Sequence, residues 1–306
     1  MYKKILVPLD GSELAERTLG TAAELADKLS ASLLLVTVLS KSDGADQGGA
    51  VQRAASARAA TPTPAAAPSE TAERYLLDKA GMIKLPNPVK TLVRFGDPAS
   101  EIMAAAAAEQ ASLIAMTTRG RSGLVRGLLG SVTDRVLHAS PIPVMIARSD
   151  NSQPYGSRIE PVENVIVPLD GSQRAEVAIA HGQILAKAFG AQLHLIRVVS
   201  LLQVGYSAEL YAPVGDYDTF SRKELEKDAA EYLERVVRRE GGQIHAHVAY
   251  GNPRAHIVEL ATKLPRSLVV MTTRGHTGAT RWVLGSTADG ILRTAPAPTL
   301  LVRAAD

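Results

Sequence analysis

Two kinds of segment in this chain carry residues that could do chemistry, and each occurs twice. The first is a carboxylate at the end of an apolar run: Ile5-Leu-Val-Pro-Leu-Asp-Gly-Ser12, restated as Val165-Ile-Val-Pro-Leu-Asp-Gly-Ser172. Asp10 and Asp170 are placed to accept hydrogen bonds from ribose hydroxyls or a base, or simply to close a turn on backbone amides. The second is a glycine-rich loop, Met116-Thr-Thr-Arg-Gly120-Arg-Ser-Gly123-Leu-Val-Arg-Gly127-Leu-Leu-Gly130-Ser131, with its echo from Met271 through Gly275 and Arg281 to Gly285-Ser286. Glycines let the backbone approach a ligand closely. The serine hydroxyl and the free amides of a helix start offer donors to an anion, and Arg119 or Arg126 adds charge. These are the parts of a phosphate cradle.

The surrounding pattern says what must hold those parts. Lys4 to Leu9 reads as a buried strand, and Leu14, Ala15, Leu19, Ala22, Ala23, Leu25, Ala26 and Leu29 then fall at helical spacing. Ser12 is a candidate N-cap, with Glu13 and Glu16 favoured by the helix dipole. Strands are expected at 33–39, 89–95, 113–116 and 143–147, and helices at 69–83, 98–110 and 132–139, with Asp97-Pro98 as cap and first helical residue. The second half repeats the order, with strands at 192–199, 244–250, 267–271 and 298–302. Alternating strands and helices predict an α/β fold built on a doubly wound parallel sheet in each half. Ligands of such sheets bind at strand carboxyl ends where the winding reverses. If the first and fourth strands are neighbours, Asp10 and the glycine loop flank one crevice, with Val38 as an apolar wall for a base.

Domain boundaries follow from composition. Residues 41–68 are rich in Gly, Ala, Ser, Thr and Pro and read as a surface insertion. Residues 149–161 read as a linker between a first domain, 1–148, and a second, 162–306. A length of 306 residues agrees with two domains, and 46% hydrophobic with 21% charged residues is ordinary globular composition. A formal charge of +3 without a concentrated basic run gives no reason to expect a nucleic-acid partner. The chain has no cysteine, which excludes disulfides, thiol nucleophiles and thiolate metal sites. No apolar run reaches membrane-spanning length, and Met1-Tyr-Lys-Lys leads straight into a strand, so a cytoplasmic protein without a membrane partner is the expectation.

Pro-Leu-Asp-Gly-Ser after the first strand, followed by glycine, nine residues and Gly-Ser before the last helix, resembles the universal stress protein family, twice in tandem and of the ATP-binding type. The resemblance implies an adenine nucleotide alpha hydrolase-like sheet with strand order 3-2-1-4-5 in each domain. It also implies a G-x2-G-x9-G-(S/T) motif for ATP, with Mg2+ held by the phosphates. Its motif falls on Thr117, Gly120, Gly130 and Ser131, followed by Val132 and Thr133, and on Thr272, Gly275, Gly285, Ser286 and Thr287. Its adenine and ribose positions fall on Pro8, Leu9, Asp10, Val38 and Met116, and on Pro168, Leu169, Asp170, Val198 and Met271. The motif's first glycine is threonine in both halves. Ala288 replaces Thr133, which predicts weaker binding at the second site through loss of one hydroxyl to the phosphates. Pairing of domains through the fifth strands, within one chain or between two, is also implied, as is a regulatory protein partner of unknown identity.

Three functions compete on these grounds: a nucleotide-responsive regulator, a slow ATP hydrolase or phosphotransferase, and a nucleotide-free dimerising scaffold. The loop lacks the Gly-Lys-Ser/Thr of a Walker motif, so hydrolysis is expected to be slow at most, and no catalytic residue is assigned. Asp134 and Asp289 are accounted for by helix dipoles. His245 and His247 share one face of a strand without a third ligand candidate nearby, so no metal site is expected.

Overall fold

The computed structural model describes residues 1–39, 68–118, 129–147, 161–199, 217–273 and 284–304, leaving out the side chains of 217–221. The expected insertion and linker fall almost wholly outside these residues, as do Arg119, Gly120, Arg126, Gly275 and Arg281. The chain divides into two compact units, Met1–Glu160 and Pro161–Asp306.

The first unit runs β1 (Lys4–Pro8), α1 (Glu13–Glu16), α2 (Thr18–Leu29), β2 (Ser32–Leu39), α3 (Pro68–Gly81), β3 (Val89–Phe95), α4 (Pro98–Ala108), β4 (Leu113–Thr117), α5 (Ser131–Ala139) and β5 (Val144–Ala147). Its strands lie in the order β3-β2-β1-β4-β5, and every pairing is parallel. The second unit runs β6 (Asn164–Leu169), α6 (Gln173–Phe189), β7 (Gln192–Val199), α7 (Tyr217–Glu240), β8 (Ile244–Tyr250), α8 (Pro253–Lys263), β9 (Ser267–Thr272), α9 (Ser286–Thr294) and β10 (Thr299–Val302). Its order is β8-β7-β6-β9-β10, again parallel throughout.

The central strands are apolar in all but their end residues because helices cover both sheet faces. Ile5, Leu6, Leu33, Leu35 and Ile114 are fully buried in the first unit, as Ile166 and Ile179 are in the second. Helix and sheet approach closely at Gly182 of α6, where an added Cβ would come within 2.7 Å of Val167 Cγ2.

The first helix departs from the expected continuous run. The run divides at Arg17, whose amide still donates to Glu13 O at 3.2 Å and whose dihedrals of −62° and −21° stay helical. In the second unit α6 runs unbroken over the equivalent stretch.

Candidate functional site

Strands β1 and β4 are neighbours, with Ile5 opposite Leu113 and Leu6 opposite Ile114, so their carboxyl ends open at the same edge of the sheet. The winding direction reverses there. β1 ends in a turn that the sequence dictates locally: Gly11 takes φ 79°, and Asp10 Oδ1 accepts from the Ser12 amide (3.0 Å) and hydroxyl (2.6 Å). Ser12 Oγ in turn accepts from the Ala15 amide at 3.2 Å and caps α1. The second unit repeats this, with Gly171 at φ 85° and Asp170 Oδ1 accepting from the Ser172 amide (2.9 Å) and hydroxyl (2.6 Å). Turn closure and presentation of a carboxylate at the strand end are therefore one structure. Asp10 and Asp170 are half-buried, as are Pro8 and Pro168, whereas Leu9 and Leu169 are buried.

Opposite this turn stands the amino end of α5. Gly130 is its N-cap, extended at φ −65° and ψ 147°, so the N-cap residue offers the helix no side-chain acceptor, and Gly285 caps α9 in the same way. By contrast α1, α4, α6 and α8 are capped by Ser12, Asp97, Ser172 and Asn252. The first-turn amides of Ser131, Val132 and Thr133, like those of Ser286, Thr287 and Ala288, lie beyond the reach of the helix's own carbonyls. The Gly130 amide donates to Thr118 O at 2.7 Å and that of Gly285 to Thr273 O at 2.9 Å, which ties each glycine loop back to the strand it left. Ser131 and Ser286 are exposed at these helix starts, with Val132 and Thr287 half-buried beside them.

Thr133 departs from its expected role. It is 4% exposed, and its hydroxyl donates to Thr117 O at 2.9 Å, fastening α5 to β4 instead of facing the loop. The replacement of Thr133 by the buried Ala288 thus removes a fastening, and it no longer gives a reason for weaker binding at the second site. Thr117 and Thr272 are buried last residues of β4 and β9, in register with Ala147 and Val302. Met116, Met271 and Val198 are buried too, and Val38 is half-buried at the end of β2.

The supporting contacts are ones that the sequence did not reveal. Glu16, expected only as a dipole acid, accepts from Tyr75 OH at 2.8 Å and from Lys79 Nζ at 2.6 Å, and all three side chains are buried. Its counterpart Glu176 accepts from Tyr232 OH at 2.8 Å and from Arg239 at 2.8 Å. Burial first, and then the Glu176 carboxylate, push the Tyr232 phenol above its ordinary value. Arg197 lies over the Tyr232 ring, 5.1 Å from its centroid, and fills the space beneath Gly171 where a Cβ would meet its guanidinium nitrogen at 2.6 Å. In the first unit the equivalent residue is Thr37, which donates to Leu9 O at 3.0 Å. Asp97 caps α4 and grips Arg135 of α5 through two 2.7 Å hydrogen bonds, which orients the amino end of α5. The only signal for the glutamates was their repetition after the Asp-Gly-Ser turn.

The sequence profile of the Universal stress protein family matches residues 1–148 and 161–303. The chain belongs to this family. A universal stress protein of Methanocaldococcus jannaschii is 33% identical over 144 residues, 46% of this chain and 82% of that protein. One of Mycolicibacterium smegmatis is 27% identical over 197 residues, 64% of this chain and 63% of its relative. The crystal structure of a universal stress protein from Archaeoglobus fulgidus aligns over 99% of this chain and 98% of its own, with 25% identity and a TM-score of 0.68. A universal stress protein structure from Pseudomonas aeruginosa, at 18% identity, covers 99% and 93% with a TM-score of 0.62 and shares the fold. Among the described residues, no helix is long and apolar enough to cross a membrane, and no group of three His, Cys, Asp or Glu side chains is arranged to hold a metal ion.

Proposed function

We propose that each unit binds ATP at the reversal point of its sheet, and that the protein is a nucleotide-responsive regulator in stress adaptation. The observation that carries this reading is the side-chain-free glycine cap of α5 and of α9, beside the Asp-Gly-Ser turn of the adjoining strand. A helix amino end without a side-chain acceptor leaves its amides for an external anion, and the helix dipole favours negative charge there. Gly120, Gly130, Ser131 and Val132 would face the phosphates in the first unit, and Gly275, Gly285, Ser286 and Thr287 in the second. Asp10 and Asp170 would accept from the ribose, with Val38 and Val198 beside the base. Mg2+ would be carried by the phosphates.

The reading is of binding because amides and hydroxyls hold charge without activating a water. Nucleotide state would then be passed to a protein partner.

Calorimetric titration of nucleotide-stripped protein with ATP and magnesium tests it, with two sites per chain expected. Trp282, the sole tryptophan, belongs to the second loop and reports on that site by fluorescence. Gly120→Val with Gly275→Val should abolish binding at both sites and leave the circular dichroism intact, since side chains there block the backbone's approach to phosphate. No binding at millimolar ATP, or unchanged binding by the double variant, would overturn the assignment.

A further inference from the structure

The outer edge of the second unit carries three histidines that the nucleotide site does not use. His194 on β7 is opposite His245 on β8, and Ile196 is opposite His247, so all three imidazoles share one sheet face near the amino ends of these strands. His194 is 3% exposed, while His245 is exposed and His247 half-buried. The His194 ring stacks on His245 with centroids 4.9 Å apart and planes 21° apart, and lies 5.3 Å from the His247 ring. Stacking keeps the lone pairs of His194 and His245 in separate, near-parallel planes, and the three rings are not arranged to hold a metal ion.

Hydrogen bonding fixes the protons instead. Asn164 Nδ2 donates to Pro265 O at 2.9 Å, which turns Asn164 Oδ1 toward His194 Nε2 at 3.1 Å. His194 therefore carries its proton on Nε2, and its bare Nδ1 accepts from His247 Nε2 at 3.0 Å. With both rings charged, His194 Nδ1–H would be set against His247 Nε2–H.

Packing alone does not call for imidazoles here. The equivalent register positions of the first unit are Leu34, Lys90 and Leu92, of which Leu34 is a buried core residue. Among the described residues, no carboxylate compensates the cluster. Facing it are Asn164 from β6, and His245 and His247 from β8. α8, which packs on β7, buries Ile257 and Ala261, while its Glu259 pairs with His256 and Lys263. α7, packed on β7 and β8, buries Ala229, Leu233 and Val236. Glu163 and Arg266, flanking Asn164 and Ser267, pair with each other.

We propose that this histidine cluster is a proton-operated latch, which holds the edge strand β8 to β7 when neutral and releases it when mild acid charges the imidazoles. The direction of titration agrees with this geometry. Burial, and then the charges of His247 and His245, push His194 from its ordinary 6.5 down to about 4, and His247 is lowered by burial and by His245. Both groups thus favour the closed, neutral arrangement. Stability contributed by the latch is complete above the ordinary histidine value and is lost as pH falls toward about 4. For His194 alone, opening to water should become about tenfold more favourable at roughly pH 5.5 than at neutral pH.

Amide hydrogen exchange of the intact protein, corrected for the intrinsic pH dependence of exchange, tests the proposal. Protection of β8 amides should fall about tenfold or more on going from roughly pH 7.5 to 5.5, while β3 keeps its protection. In His194→Leu with His247→Leu, which installs the residues of the first unit, the acid response of β8 should vanish. Should that variant fail to fold, proton NMR titration of the wild-type imidazoles decides independently: His194 titrating below about pH 5 supports the latch, and titration near 6.5 overturns it. Unchanged β8 protection on acidification, or an acid response that survives in the leucine variant, would also overturn it.

Discussion

Lys79→Met is the substitution whose consequences reach from the core to the crevice. The Lys79–Glu16 pair is 2.6 Å long, and its side chains are 9% and 8% exposed, so water offers little to the carboxylate once the ammonium is gone. Tyr75 OH, at 2.8 Å, is left to hold that charge with its one hydrogen bond. Removing one partner of a buried ion pair typically costs about 3–5 kcal/mol. With a urea dependence of about 2 kcal/mol per molar for a domain of this size, the first unit's midpoint should fall by roughly 1.5–2.5 M. Circular dichroism follows the unfolding of both units, and Trp282 fluorescence follows the second, whose midpoint should hold. Glu16→Gln combined with Lys79→Met should recover most of the loss, because a neutral amide can still bond Tyr75. Since Glu16 ends the helix that Ser12 caps, Lys79→Met should also loosen the Asp10 turn and weaken ATP binding in the first unit alone. A midpoint shift below about 0.5 M, or no recovery in the double variant, would refute the assignment of the buried charge pair.

Two further outcomes follow from the site's supports. Thr133→Ala should cost about 1 kcal/mol of first-unit stability through the lost bond to Thr117 O, yet change ATP affinity less than about threefold in calorimetry; a tenfold loss of affinity would show that the hydroxyl serves the nucleotide. Hydrogen bonds from Arg135 and from Ser100 hold the Asp97 carboxyl well below the usual carboxylate range. The clasp is thus fully made above the ordinary aspartate value and is lost only as pH falls through the lowered one; NMR titration showing Asp97 ionising near its ordinary value of about 3.9 would contradict it.

What the sequence by itself determined was whatever is encoded locally and then repeated. Apolar runs of strand length, helical spacing after Ser12 and the Asp97-Pro98 start depend on neighbours a few residues away, and the elements formed close to where the pattern put them. Placing Asp10 and Thr118, where the glycine loop begins, at one edge needed only that β1 and β4 be adjacent, which the doubly wound order supplies. Tertiary structure alone decided which side chains meet. Glu16 looked like any first-turn acid until α3 brought Tyr75 and Lys79 to it. The Thr133 hydroxyl could have faced the loop or the strand, and helix docking turned it to Thr117 O. His245 and His247 lacked a third partner in sequence until the register of β7 against β8 set His194 beside them. Local pattern fixes an element's type because its causes lie within a few residues. A buried polar contact joins residues far apart in the chain, and its geometry exists only after the elements have packed.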